Sequence, residues 1–273
     1  MRWTRGLLVV GAVALGFGVP ARPVPPPAPG RRLGSVPLDP SLPDLLRDHL
    51  DVDGDGLVPE TNSVVLCARG ELRLGRSPWL PMRMRSVRSR TEFVSDIAVT
   101  WWGMPVLTGV DAYVAGHGLT RVAGRSTVGP EIDQGANLFL WSEALLVPST
   151  FAVGTPVKAT GGQDGTVSLQ VPLGTGVDEA VLTFDELVPR RFAALRYQRV
   201  GGDKRWWHAD YRGWHVQDGI RVPRRLEATW EGDDEPWLTL DVEAVVANVD
   251  VSERIEQVTE LVRTTRERAG LAD

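Results

Sequence analysis

Cysteine is almost absent: Cys67 is the only one in 273 residues. No intramolecular disulfide can form, and no CxxC metal site exists. Lysine is nearly as scarce, since of 30 basic residues only Lys158 and Lys204 are lysine; this bias reads as codon usage rather than function. The four histidines are scattered, with neither HExxH nor HxH spacing, so no metal and no resident cofactor is assigned. No GxSxG stretch marks a serine nucleophile, and Cys67 sits inside a strand pattern. The net charge of −5 argues against a general nucleic-acid binder. No βαβ rhythm appears either, which disfavours a parallel sheet.

What is present begins with Arg2 and Arg5, followed by an apolar run of 13 residues from Leu7 to Val19. A bilayer-spanning helix needs about 20 apolar residues, so this run fits an export signal with Val19-Pro20-Ala21 as a cleavage site. An uncleaved anchor is the alternative. Residues 1–21 are therefore read as signal or anchor, and the protein as exported, either secreted or held at the cell envelope. The proline-dense stretch 22–43 reads as an extended spacer. The folded domain is expected over 44–250.

From Ser63 onward the pattern has period two. "SVVLCARGELRL", "WLPMRMRSVRSR", "EAVLTFDE", "RFAALRYQRV", "RWWHADYRGW", "RRLEATWE" and "WLTLDVEAVV" all read as half-buried strands. Gly- and Asp-rich turns separate them, which predicts an antiparallel sheet joined by hairpins. "PEIDQGANLFLWSEALLVP" breaks the pattern. Glu131 and Asp133 open it, Pro148 stops it, and its apolar residues run nearly all round, as in a helix buried by its surroundings. Residues 251–273 carry an amphipathic helix with Ile255, Val258, Leu261 and Val262 in its stripe.

Several groups of residues invite a chemical reading. "DVDGDGLVPETN" from Asp51 resembles a calcium loop, but its twelfth position holds Asn62 where a bidentate carboxylate is needed, and Glu60 comes two residues early. It reads as a solvated turn. Arg83, Arg85, Arg88 and Arg90 read as a solvent-facing strand rather than a phosphate site. His208 and Asp210 share a strand face and could support acid–base chemistry with Glu131. Structural hydrogen bonding is the plainer role for His208. Glu143 lies in the apolar helix, where a carboxylate needs a partner; either an ion pair with an arginine or a polar anchor in a pocket accounts for it.

"GPEIDQGANLFLWSEALLVPS" resembles the central signature of an uncharacterised bacterial family. "WLPMRMRSVRS", "VDAYVAGHG", "LTFDE" and "HADYRGWHVQDGIRVPRRLEATWE" fit the same family in the same order, covering about Pro43 to Val249. The last stretch also resembles a hairpin of lipoprotein-carrier-like (LolA-like) proteins. That resemblance implies a strongly curved antiparallel half-barrel whose concave face holds acyl chains, with the 131–148 helix closing the concavity. The nearer family places residues 51–62 in a connector before the first main strand.

The expected fold is thus α+β and mainly antiparallel β, a curved half-barrel with a buried helix across its concave face and a C-terminal amphipathic helix. The expected function is non-catalytic binding or carriage of an apolar small molecule or lipid. Trp101, Trp102, Phe139, Trp141 and Leu145 are its expected lining, with Glu143 as polar anchor. The alternatives are a hydrolase using His208 and Asp210, and a module docking an envelope protein through the C-terminal helix.

Overall fold

The computed structural model describes residues 16–75, 77–155 and 157–271; the expected signal or anchor lies largely outside them. In chain order, β1 (Ser35–Pro37), α1 (Asp44–Leu50) and β2 (Leu57–Pro59) come first. A first meander follows: β3 (Ser63–Leu72), β4 (Leu80–Ser89), β5 (Phe93–Trp101), β6 (Met104–Val114), β7 (His117–Val122) and β8 (Arg125–Thr127). Next come α2 (Pro130–Ser142) and two 3-10 turns, Ala144–Leu146 and Pro148–Phe151. The second meander is β9 (Lys158–Gly161), β10 (Thr166–Leu173), β11 (Gly176–Asp185), β12 (Val188–Tyr197) and β13 (Lys204–Arg212). The small hairpin β14 (His215–Gln217) and β15 (Ile220–Val222) interrupts it before β16 (Arg225–Trp230), β17 (Leu238–Ala247) and the final helix α3 (Ser252–Arg268).

Among the described residues, thirteen strands form one sheet in the order β8-β7-β6-β5-β4-β3-β17-β16-β13-β12-β11-β10-β9. The chain starts at the sheet centre, meanders to one edge, crosses on α2 and meanders back until β17 pairs antiparallel with β3. β7 is second in that order and β12 tenth, which at about 4.8 Å per strand puts them ~38 Å apart in a flat sheet. Yet both touch α2. A side chain at Gly118 on β7 would come within 2.5 Å of the Ile132 carbonyl oxygen. On β12 the Arg196 guanidinium lies against Gly135. A helix is only about 10–12 Å across, so the sheet curls around it into a half-barrel.

Alternation sorts the two faces. On β3, Val64, Leu66 and Ala68 face the main core inside the curl, while Val65 and Cys67 meet Val258 and Val262 of α3 outside. The strand expected to be half-buried is therefore buried on both faces, because the C-terminal helix covers the outer one. Arg254 of α3 binds the Asp96 carboxylate on β5 through two N–H groups, one of them at 3.1 Å. The apolar stripe of α3 is thus occupied by its own sheet.

The domain also begins earlier than Asp44. Leu38 and Leu42, in the stretch expected to be a spacer, are buried in the main core, and β1 pairs with β2. Proline keeps this segment extended, and an extended segment can lend a strand and two leucines to the core. Together with α1, the β14–β15 hairpin and the 3-10 turns it closes one end of the half-barrel. The Asp51 turn belongs to this closure. Its Oδ1 accepts the N–H groups of Gly54 (2.7 Å) and Asp55 (3.2 Å), and its Oδ2 that of Gly56 (2.8 Å). The carboxylate that would start a calcium loop is committed to the backbone.

Candidate functional site

α2 is the element that makes a site of the concavity. Gly129 at φ 138° and Pro130 in the first turn set its start. The helix ends at Ser142, short of the expected Pro148. Side chains help to satisfy its last carbonyls. Tyr211 donates to the Ser142 carbonyl, and Arg88 to that of Leu140 at 3.4 Å. Polar pins fix the helix to both arms of the sheet. Asp133 accepts the Gly118 N–H at 2.7 Å, and the Gln134 amide donates to Asp178 at 3.0 Å. The Asn137 amide donates to the Pro172 carbonyl at 2.9 Å.

Between α2 and the first arm the core leaves a cavity of about 280 Å³. Met82 and Met84 of β4, Phe93 and Ile97 of β5, and Ala136 and Phe139 of α2 give it apolar walls. At one end it is bounded by Leu72, Gln198, Arg199, Trp237 and Leu238. These are the ends and beginnings of β3, β12 and β17, and Gln198 and Arg199 are exposed, so the cavity reaches the surface at that rim. Two larger clefts, about 380 and 560 Å³, run along the 17–35 segment, away from the concavity.

Two charged side chains face each other in this cavity. Arg196 follows Phe192 and Ala194 on the inner face of β12, with its guanidinium 4.8 Å from the Trp207 ring centre and 5.7 Å from that of Trp230. A Cβ at Gly135 would come within 2.7 Å of its Nη2, so glycine there is what lets the arginine lie across the helix. No carboxylate among the described residues forms an ion pair with it, and its Nε is buried without a hydrogen-bond partner. Desolvation lowers its pKa to about 10, opposed by the charge of Asp111. Asp111 on β6 is held up by desolvation, against a hydrogen bond with Thr120 and the charge of Arg196.

Of the residues expected to line a ligand site, the structure brings Phe139 to this cavity. Trp141 turns into the main core and donates to Asn137 at 3.2 Å, and Leu145 is buried in the same core. Trp101 and Trp102 sit outside the concavity at the β5–β6 turn, both exposed. Glu143 is buried in an ion pair with Arg88, whose side chain is 0% exposed. Glu143 borders a different, small gap of about 20 Å³. The reading of Arg88 as solvent-facing is corrected. Counted from Met82 and Met84, position 88 falls on the inner face of β4, while Arg83 and Arg85 point outward.

The acid–base constellation does not assemble. Trp207, Ala209 and Tyr211 take the inner face of β13, so His208 and Asp210 take the outer one. There Asp210 accepts two hydrogen bonds from Arg191, at 2.6 and 3.0 Å. Glu131 borders the cavity on the opposite side of the sheet. Arg196 and Asp111 were not singled out from sequence. The available signal was an arginine in the apolar register of a strand, Phe192-x-Ala194-x-Arg196.

Residues 37–241 match a family described as a family of unknown function, DUF6544; the chain belongs to that family. No curated protein matches. Among solved structures, the chain is similar to a LolA superfamily protein from Nitrosomonas europaea, at 9% identity and a TM-score of 0.43 over 77% of this chain and 93% of that one. It is also similar to a putative outer membrane lipoprotein-sorting protein domain from Vibrio parahaemolyticus, at 8% identity and a TM-score of 0.36 over 73% and 91%. A DUF1329 family protein from Desulfovibrio piger shows 11% identity and a TM-score of 0.42 over 77% and 93%. The architecture described above stands on this chain's own strand order and registers.

Proposed function

We propose that this member of a family of unknown function is a non-catalytic binder of an amphiphilic, lipid-class ligand held in the concavity under α2. The observation that carries the proposal is the cavity itself, apolar on most of its wall and holding Arg196 opposite Asp111. Its 280 Å³ lies near the lower end of the range of about 300–1,000 Å³ for ligand pockets. That suits one short acyl segment, with any longer chain leaving through the rim.

Apolar burial alone is insufficient here. Each buried methylene contributes about 0.8 kcal/mol, while association costs on the order of 4–15 kcal/mol. Eight methylenes reach only ~6 kcal/mol at that rate. A charge-assisted hydrogen bond from Arg196 to an acidic or strongly polar ligand end supplies the difference and fixes orientation. Export belongs to the same proposal, supported by Arg2, Arg5 and the apolar stretch from Leu7 to Val19. Among the described residues no helix is long and apolar enough to cross a membrane.

The test is native mass spectrometry on protein purified without detergent, followed by titration with anilinonaphthalene sulfonate. Ala136→Phe places an aromatic ring in the cavity. Parent protein should carry a lipid-sized mass or take up the probe, and A136F should do neither while keeping its circular dichroism. Equal uptake by a folded A136F would move the ligand elsewhere.

A further inference from the structure

The antiparallel registers place six hairpin turns at one end of the half-barrel: β3–β4, β5–β6, β7–β8, β10–β11, β12–β13 and β16–β17. The opposite end is closed by α1, β14–β15 and the 3-10 turns. The cavity reaches the surface at the open end, beside Leu72, Trp237 and Leu238. Large apolar side chains are exposed along this same end. Trp102 (51%), Met104 (54%) and Val106 (55%) stand at the β5–β6 turn, Val177 (62%) beside the β10–β11 turn and Val200 (51%) in the β12–β13 turn. Val153, Leu187 and Val216 are exposed at the closed end as well; the open-end set differs in bordering the cavity mouth.

Two further observations concern the β5–β6 tip. Trp102 has φ 52° and Gly103 φ 71°, the backbone of a tight two-residue hairpin in which Asn or Gly normally occupies the first position. A bulky aromatic there costs about 1–3 kcal/mol, and such strain persists mainly where it serves a function. The Trp102 N–H donates to the Gly16 carbonyl at 2.8 Å, and Gly16 also lies against the Trp101 indole. Indole rings prefer the boundary between acyl chains and water.

We infer that the open rim docks on a lipid bilayer, with the Trp101–Trp102 turn entering the headgroup layer and the cavity mouth facing the membrane. The inference rests on the proposed cavity function and supplies its route, since a ligand can pass between bilayer and cavity without crossing water. A lipid surface fits better than a protein groove because the exposed side chains form a ring of separate tips rather than one continuous patch.

The experiment uses the full chain and phosphatidylcholine vesicles whose acyl chains carry bromine, which quenches nearby tryptophan. Parent emission should be quenched, and Trp101→Phe/Trp102→Phe should lose most of that quenching while still binding vesicles. Trp102→Ser/Met104→Ser/Val106→Ser should lower the vesicle-bound fraction several-fold. Quenching that survives the double Phe substitution would overturn the inference, because contact would then arise elsewhere, including from the apolar N-terminal stretch. Absence of quenching in the parent would also overturn it and leave a protein partner for this rim. Uptake of anilinonaphthalene sulfonate by the triple Ser protein separates the two proposals. Retained uptake with a lowered vesicle-bound fraction is the expected pattern, and vesicle binding by a parent protein that takes up no probe would sink the cavity function alone.

Discussion

The buried Arg88–Glu143 pair offers the sharpest test of how α2 is held. Arg88 is fully buried, and its Nη2 donates to Glu143 Oε2. Its remaining contacts are the Leu140 carbonyl at 3.4 Å and the edge of reach to the Phe93 ring at 5.9 Å. In Glu143→Leu the guanidinium loses its counter-charge and has one long hydrogen bond left. An arginine keeps its proton in proteins, so it cannot escape by neutralising, and the substitution should cost about 3–5 kcal/mol.

Arg88→Met behaves differently. Burial already pushes the Glu143 carboxyl up, with the Arg88 charge pulling it down; without Arg88 the acid rises further and takes a proton. Protonating a carboxyl of ordinary value 4.5 at pH 7 costs ~3.4 kcal/mol at 1.36 kcal/mol per unit. The folded state then binds the proton more tightly than the unfolded chain. The variant's deficit is therefore small below pH 4.5 and grows as pH rises above it. The double variant Arg88→Met/Glu143→Leu should fall within about 1 kcal/mol of the parent or exceed it. Urea unfolding followed by tryptophan emission, at pH 5 and pH 7 with unchanged m-value, gives the full cycle. Additive single effects, or a Glu143→Leu loss below about 1 kcal/mol, would contradict a desolvated pair of this kind.

His49 predicts an acid limit. It is 1% exposed, neither ring nitrogen has a partner, and the Trp214 ring lies 4.7 Å away. Desolvation first, then Arg221, lower its pKa from 6.5 to about 3. The unfolded chain therefore takes the proton first, and stability present above pH 6.5 is lost as pH falls toward 3. The loss reaches ~5 kcal/mol at 1.36 kcal/mol per unit. His49→Phe should flatten the fall in urea midpoint between pH 6.5 and 4, and an unchanged slope would place the titration elsewhere. Arg196→Met should weaken anilinonaphthalene sulfonate binding about tenfold, the equivalent of ~1.4 kcal/mol, while sparing a neutral probe such as a pyrene hydrocarbon. Equal loss for both would mean that the arginine only shapes the wall. Asp51→Ala removes the acceptor of three backbone N–H groups and should lower stability by about 1–2 kcal/mol. Millimolar calcium should leave the parent melting curve unchanged, and a rise in Tm with calcium would revive the loop as a cation site.

The strands that alternate strictly were readable because one face meets the core and the other meets water. β16 is of that kind throughout, and β11 and β12 are over Ala180–Phe184 and Phe192–Leu195. β3 was less transparent, since nothing in "SVVLCARGEL" says that a helix 180 residues later in the chain covers its outer face. β5 and β6 were not among the strands read from alternation. Ser95, Asp96 and Asp111 break their apolar register, and those polar residues are explained only by their partners: Ser86 at 2.9 Å for Ser95, Arg254 for Asp96, and the cavity for Asp111. The site was the least legible part. Aromatic content pointed to Trp141 and the Trp101–Trp102 pair, but helix phase sends Trp141 into the core and the turn sends the pair to the rim. Phase also carries the missed information, since Arg88 and Arg196 each stand in the apolar register of their strand.

Those two arginines clarify why a half-barrel with a plug keeps a cavity at all. A helix that is apolar nearly all round would slide to the depth that buries most surface, closing any void. α2 cannot, because its position is set by directional contacts from both arms. Asp133 is tied to Gly118, Gln134 to Asp178, Asn137 to Pro172, and its last turn to Arg88 and Tyr211. Each bond fixes the helix against a different strand, and together they set its depth, with the cavity left between it and β4 and β5. Arg196 then lies in the remaining space through Gly135, as a cation with aromatic faces around it and no counter-charge in contact. The polar pins therefore do for the void what the apolar residues do for the core, which is why cutting a pin such as Arg88–Glu143 is expected to change the cavity before it unfolds the chain.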